Sequence, residues 1–410
     1  MSVNGAPYFI KGAAVNSVSH IPELAAAGGN TIRIYNASDA FMEEALDAAE
    51  SYGLMVNIGY YMNPDLSAYT ASNIESWKNK LLSRVHKYKS HRALLMWTLG
   101  NEVEANAANS SEMSIYFSAV NELALAIHEE DPNHPVSCAL SSASSDKIAS
   151  VIADAPDLDI LSINSYGGIS AVRNNLVSSG WTKPYIISEF GPDGTWGLPS
   201  SRIKTWGSSG SAIIEETSGQ KASVYQDRWT SYIAANAANG CLGGFAFLWD
   251  PQKNGDVRSW YSLFTKDGFT TEAVDAMQYC WTGSWPAHRA PSIADRSKLV
   301  LNEMTASSSP ITLSAGLAYT ARVVATSPSG QNLRFKWFYY LKDAVDPDGY
   351  IADGITVSNQ SGTYRSGTDD YLSEVSVTAP STPGIYYLFV YAIDDTNRKV
   401  ATASLPFCVE

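Results

Sequence analysis

Leu94-Leu95-Met96-Trp97-Thr98-Leu99-Gly100-Asn101-Glu102 is an apolar run that stops abruptly on an Asn-Glu pair. A continuous run of this kind reads as a strand buried on both faces, the type found in parallel sheets. A carboxylate at the end of such a strand stands at the rim of a sheet, where α/β barrels keep their chemistry. By itself a glutamate after a strand is most simply a solvated loop residue. Its meaning therefore depends on a partner elsewhere in the chain.

Outward from this stretch, strands and helices alternate. A hairpin turn at Val3–Pro7 leads into a first strand, Tyr8–Val15, and a short helix entered at Pro22 and stopped at Gly28-Gly29. Thr31–Tyr35, with Arg33 as a charged interruption, is the second strand. Ser38 or Asp39 caps a helix over Ala40–Tyr52. Leu54–Tyr60 and a helix over Ser72–Lys89 follow. The opening stretch is the fourth strand, leading to a helix over Glu112–Glu130. The fifth to seventh strands are Pro135–Leu140, Leu158–Tyr166 and Pro184–Phe190, with helices near Asp146–Ala153 and Ala171–Ser179 between them. More than fifty residues then intervene (Gly191–Gly243), including a helix near Lys221–Ala238, before an eighth strand at Gly244–Asp250 and a closing helix at Thr271–Trp281.

Eight strands alternating with helices predict a (β/α)8 TIM barrel over residues 1–285. A doubly wound sheet usually carries a Gly-rich phosphate loop after its first strand, and Lys11-Gly12-Ala13-Ala14 is not one. After Pro286 and Pro291, helical periodicity gives way to short alternating strands: Ala318–Ala325, Leu333–Leu341, Leu372–Thr378, Gly384–Ile393 and Val400–Val409. Residues 286–410 are therefore expected to form an all-β, immunoglobulin-like or fibronectin-like sandwich with Trp337 in its core.

Composition narrows the partners. The 410 residues carry a formal net charge of −13, which argues against nucleic acid or an anionic membrane surface. Neutral substrates suit such a chain; 11 Trp and 23 Tyr offer aromatic faces of the kind sugar rings stack on, although most of them are expected to pack a core. No stretch is long and apolar enough for membrane insertion, and a monomer is expected. No signal peptide is visible, so either a leader has been removed or the protein is intracellular. Cys138, Cys241, Cys280 and Cys408 are scattered without CxxC spacing; Cys241 and Cys280 can approach in a barrel, but buried thiols are the expected state. His86, His91, His128 and His134 lack ligand spacing, and neither a metal nor a cofactor is expected.

The partner for Glu102 is Glu189, in Pro184-Tyr185-Ile186-Ile187-Ser188-Glu189-Phe190-Gly191, a second apolar strand ending on a carboxylate. Strands four and seven of one barrel would then both present a glutamate at the C-terminal rim. Across that rim two side chains can converge to about 5–5.5 Å, the separation a retaining glycosidase needs. One attacks the anomeric carbon. The other protonates the leaving oxygen, then deprotonates the incoming water or acceptor.

Asn101-Glu102 closing strand four, with Glu189 closing strand seven, resembles clan A of the glycoside hydrolases across the whole barrel. The resemblance implies Glu102 as acid/base, Glu189 as nucleophile, and Asn101 as the residue that holds the sugar 2-hydroxyl. It further implies that Arg33 orients Glu189 and keeps it ionised, that Tyr166 hydrogen-bonds it, and that Trp249 forms the platform under the sugar. Within the clan, Asn4–Gly12 resembles the barrel entry of family 2, whose members carry sandwich domains ahead of the barrel. A barrel followed by an immunoglobulin-like domain is closer to family 158, and Ser188–Pro192 and Pro383–Tyr391 fit that placement. It implies a secreted, periplasmic or cell-surface endo-β-1,3-glucanase acting on laminarin-type β-glucan. The entry also resembles fungal β-1,3-glucanosyltransferases, so a transglycosylase, or an exo-acting β-galactosidase or β-mannosidase, stays open. So does a carbohydrate-binding scaffold on an inactive barrel. Trp196, Tyr60, Tyr61, Trp206 and Trp229 are candidate stacking platforms, Trp196 foremost.

Overall fold

Eight parallel strands close into a barrel in chain order: Ile10–Ala14 (β1), Thr31–Ile34 (β2), Met55–Tyr60 (β3), Leu94–Asn101 (β4), Val136–Leu140 (β5), Ile160–Asn164 (β6), Tyr185–Phe190 (β7) and Cys241–Ala246 (β8). This is a computed structural model, and it describes residues 1–253, 259–342, 344 and 354–410. The intervening helices are Ile21–Ala26 (α1), Asp39–Ser51 (α2), Ala71–Tyr88 (α3), Ser110–Glu130 (α4), Ser145–Asp154 (α5), Ile169–Ser178 (α6) and Ser218–Arg228 (α7).

Local chemistry accounts for these elements. Asn4 and Gly5 both take positive φ, as a two-residue hairpin turn requires, between the paired segments Ser2–Val3 and Ala6–Pro7. The Ser38 hydroxyl caps α2 by accepting from the Phe41 N–H at 3.2 Å. β4 is buried along its length except at Asn101, its last residue. Small polar residues inside the barrel satisfy one another: Thr98 donates to Asn57 at 2.7 Å and lies 2.8 Å from the Ser137 hydroxyl, which accepts from Ser162 at 3.0 Å.

Two expectations about the end of the barrel differ from the structure. β8 starts at Cys241 and ends at Ala246, earlier than the expected Gly244–Asp250. Its glycines are strand rather than loop because the neighbouring backbone comes too close for a side chain. At Gly243, with φ +118, a Cβ would run into the main chain of Ile10. The expected long helix after the insertion is α7 followed by a π turn at Trp229–Ile233 and a 3-10 segment at Ala234–Asn239.

Downstream, Glu272–Thr282 forms α8 and two five-stranded sheets follow. One contains Leu299–Leu301, Met304–Thr305, Ala318–Thr326, Thr363–Tyr364 and Asp370–Thr378. The other contains Thr312–Leu313, Arg334–Leu341, Ile355–Ser361, Gly384–Asp394 and Lys399–Val409. Residues of both sheets share one core, in which Trp337 is fully buried and donates to the Ser373 hydroxyl at 2.9 Å.

Contacts divide the chain elsewhere than the change in composition after residue 285. One compact unit is Met1–Phe190 with Asp227–Trp249; the other is Gly191–Gln226 with Asp250–Glu410. Bonds within the second unit give the reason. Its Tyr387 phenol accepts from the Ile213 N–H at 3.0 Å and donates to the Ile213 carbonyl at 2.9 Å, while Trp206 donates to the Ile311 carbonyl at 3.0 Å. Glu215 is buried, ion-paired to Lys221 at 2.5 Å, and accepts from the hydroxyls of Ser259 at 2.7 Å and Ser404 at 2.8 Å. α8, expected to close the barrel, also belongs here, since Asp275 pairs with Lys399 and accepts from the Ala290 N–H.

Removing one partner of a buried ion pair strands the other's charge. Lys221→Met is therefore expected to destabilise the second unit by about 3–5 kcal/mol, read as a lowered urea midpoint. An unchanged midpoint would show that this pair does not hold the insertion.

Candidate active site

The ends of β2, β4, β6 and β7 bring their polar side chains to one cation. Arg33, on β2, is 1% exposed. Its Nη1 donates to the Ser188 carbonyl at 2.7 Å, to Asn164 Oδ1 at 3.1 Å and to Glu189 Oε1 at 3.1 Å. Its Nη2 donates to Asn101 Oδ1 at 2.7 Å. The guanidinium carbon lies 4.5 Å from the ring centroid of Tyr35, two residues on. An Arg buried to this extent needs a carboxylate and several acceptors, and it has them.

Glu189 is 6% exposed and held at both oxygens. Oε1 accepts from Arg33 and from the Tyr35 hydroxyl at 2.8 Å; Oε2 accepts from the Tyr166 hydroxyl at 2.7 Å. Burial keeps the Tyr35 phenol well above its ordinary value, so it remains a donor. With three donors on two oxygens, the carboxylate has one orientation.

Glu102 has different surroundings. A bulge between Leu99 and Asn101, with Gly100 at φ +68, ends β4, and Glu102 itself takes φ +56. Its Oε1 accepts from Asn164 Nδ2 at 2.8 Å. Burial raises its pKa first and the charge of Glu189 second, against the Asn164 hydrogen bond. It is placed to carry a proton. Asn164 spans the two glutamates, since its Oδ1 faces Arg33 and its Nδ2 reaches both Glu102 and Asn101 Oδ1, the latter at 3.1 Å. With Oδ1 of Asn101 taken twice, the amide nitrogen of this exposed residue is the end left for a ligand oxygen.

The structure thus brings Glu102, Glu189, Asn101, Arg33 and Tyr166 together. It does not do so for Trp249, which is fully buried with its indole N–H on the His20 carbonyl at 3.0 Å and cannot form a platform. The aromatic ring beside the pair is Phe247, edge-on to Tyr35 at 6.5 Å and to Tyr166 at 6.3 Å between centroids. Tyr60 is also buried, its hydroxyl on the Trp77 carbonyl at 2.9 Å; neighbouring Tyr61 is 52% exposed. Trp206 and Trp229 are buried, whereas Trp196, in the second unit, is 77% exposed. Asn164, Tyr35 and Phe247 were not singled out from sequence. The signal for Tyr35 was its place two residues after Arg33, on the same face of an extended chain. All four cysteines are free thiols. Among the described residues no group of three or more His, Cys, Asp or Glu could hold a metal, and no helix is long and apolar enough to cross a membrane.

Residues 39–204 match the TIM barrel domain of the family 2 glycosyl hydrolases. Among solved structures, the chain is similar to Bifidobacterium dentium β-glucuronidase complexed with coumarin-3-O-glucuronide: 16% identity, 68% of this chain, 47% of that one, TM-score 0.51. It also aligns with a GH2 β-galacturonidase from Eisenbergiella tayi (14% identity, 68% and 51% covered, TM-score 0.49) and an endo-1,4-β-mannanase from Eisenia fetida (15%, 68% and 93%, 0.46). The chain spans about half the length of the galacturonidase. No curated protein matches it. At such identities the structural likeness speaks for the fold. It agrees with the family 2 match over residues 39–204 on a TIM barrel, here with a glutamate following β4 and another near the end of β7.

A carboxyl whose pKa is raised by folding binds more protons folded than unfolded, so stability is lost as pH rises through the unfolded and then the folded pKa. Glu102→Gln removes that dependence. The variant is expected to unfold at a higher temperature than the parent at pH 7, with a smaller difference at pH 4. Equal melting temperatures at both pH values would contradict the raised pKa.

Proposed function

We propose that the protein is a retaining β-glycosidase in which Glu189 is the nucleophile and Glu102 the acid/base. The observation that carries this is the unequal setting of the two carboxyls. Glu189 is ion-paired to Arg33 and held by two phenols, while Glu102 has one amide donor and a raised pKa. In the first step a Glu189 oxygen attacks the anomeric carbon as Glu102 gives its proton to the glycosidic oxygen, and the leaving group departs as an alcohol. Glu102, now a carboxylate, then takes a proton from water. The water oxygen bonds to the anomeric carbon and Glu189 is released. The amide nitrogen of Asn101 is the donor for the sugar 2-hydroxyl.

The proposal extends to an endo-acting β-1,3-glucanase of the family 158 type, working as a monomer on laminarin-type glucan outside the cytoplasm. The support for a polymeric substrate is a cleft of about 650 Å³ lined by Asn36, Tyr60, Tyr61, Asn63, Trp77 and residues of α3. Tyr60 ends β3, the strand beside the one that ends at Asn101, and the exposed Tyr61 offers the cleft a stacking face.

Glu189→Ala is expected to lower kcat by about 10⁴-fold or more, since covalent catalysis has no substitute. Laminarin, mannan, galactan and mixed-linkage glucan, compared by product chromatography, test the specificity. Short laminari-oligosaccharides appearing first support the proposal. Monosaccharide first would make the enzyme exo-acting, longer chains would make it a transferase, and full activity of Glu189→Ala would end the catalytic reading.

A further inference from the structure

Two residues beyond Glu102 lies a second carboxylate that the mechanism above does not use. Glu104 is 1% exposed, inside the short 3-10 turn Val103–Asn106. Its Oε1 accepts three hydrogen bonds: from the Ser141 N–H at 2.7 Å, the Ser141 hydroxyl at 2.9 Å and Lys147 Nζ at 2.9 Å. Among the described residues its Oε2 is buried without a hydrogen-bond partner. Ser141 directly follows β5 and Lys147 is in the first turn of α5. The loop after β4 is thus fastened to the next βα unit through one buried carboxylate.

That fastening bears on the acid/base. A non-glycine residue in the left-handed region is strained and persists only where its surroundings over-determine it. Around Glu102, the preceding bulge is filled by Tyr116, which lies where a Cβ on Gly100 would project. The Glu102 N–H is bonded to the Ala139 carbonyl at 2.9 Å. Glu104 supplies the anchor on the far side. A buried, charged side chain with three donors has no reason to be there for packing, where an apolar residue would cost less.

We propose that Glu104 is the positioning residue of the acid/base carboxyl, clamping the strained turn at Glu102 to Ser141 and Lys147. This rests on the assignment of Glu102 as acid/base. The charges that act on Glu102 are those of Glu189 and Glu104, which favour its protonated form, and of Arg33, which opposes them. Lys147 offsets only part of the Glu104 charge, and the remainder favours the protonated form of Glu102.

The test compares the full-length parent with Glu104→Gln and with Glu104→Gln/Lys147→Met, which removes both charges and leaves no unpaired lysine. Two aryl β-glycosides of the same sugar serve as substrates, one with a dinitrophenyl leaving group that departs without acid assistance and one with a poor leaving group. In both variants kcat/KM is expected to fall about ten-fold or more on the poor leaving group and to stay near the parent value on the activated one. The alkaline limb of the pH profile is expected to move down by about half a unit or more. Equal losses on both substrates, or an unmoved limb, would overturn the proposal. A second readout does not need turnover: carboxyl-carbon NMR of glutamate-labelled protein, with the Glu102 signal assigned by its absence in Glu102→Gln. A lower Glu102 midpoint in the double variant supports the placement of Glu104, and an unchanged midpoint overturns it. Absence of any β-glycosidase turnover in the parent would sink the catalytic assignment alone, and the NMR titration would still decide the role of Glu104.

Discussion

The barrel's candidate site depends on one buried guanidinium. Arg33 reaches acceptors on β4, β6 and β7 from its place on β2, so a single side chain ties together strand ends that are not all neighbours in the sheet. Burying a cation is costly unless it is paired and hydrogen-bonded. The need for pairing fixes Glu189, and the need for further acceptors fixes Asn101 and Asn164. Asn164 then uses its remaining donor on Glu102. The relative placement of the two carboxyls thus follows from satisfying one buried charge. It is a preorganised polar environment of the kind that lets charge develop at low reorganisation cost.

Beneath this layer the barrel carries a smaller polar belt of Asn57, Thr98, Ser137 and Ser162, each from a successive strand. Ser162 and Asn164 lie on the same face of β6, two residues apart, so the belt and the layer around Arg33 are consecutive rungs of the same strand. Around them the core is apolar, with Ile32, Ile58, Leu99 and Ile163 fully or almost fully buried. Polar groups occur inside the barrel where they can satisfy one another, and that restriction fixes the register of the strands that bear them.

Much of this was legible in the order of residues. Glu102 and Glu189 stood out because long apolar runs seldom end so sharply on a carboxylate, and Arg33 because it interrupts a strand that has no solvated face. Asn164 and Tyr35 carry no such contrast; a polar or aromatic residue at a strand end is ordinary, and only the partner across the barrel gives it meaning. Trp249 was misplaced for a geometric reason. The strand before it ends at Ala246, because the tight approach at Gly243 lets the glycine-rich segment join the barrel early. Phe247 therefore takes the position beside the pair, and Trp249 is already turned into the core. The unit boundary was hidden for a similar reason. Composition registers where helices stop, but not that Glu215 and Tyr387 bind the insertion to distant strands.

The path of the chain between its two units has a historical corollary. It leaves the first unit after Phe190, returns at Asp227, and leaves again after Trp249. Neither unit is a contiguous segment of the gene. A single crossover near codon 285 could not graft this sandwich onto another barrel intact, because the donor would keep the residues around Glu215 that the sandwich needs. The insertion and the downstream strands have to stay matched for these bonds to be kept. Substitutions in one are then expected to be constrained by the other across more than 150 residues of sequence, as Ser404 and Glu215 are by their shared hydrogen bond.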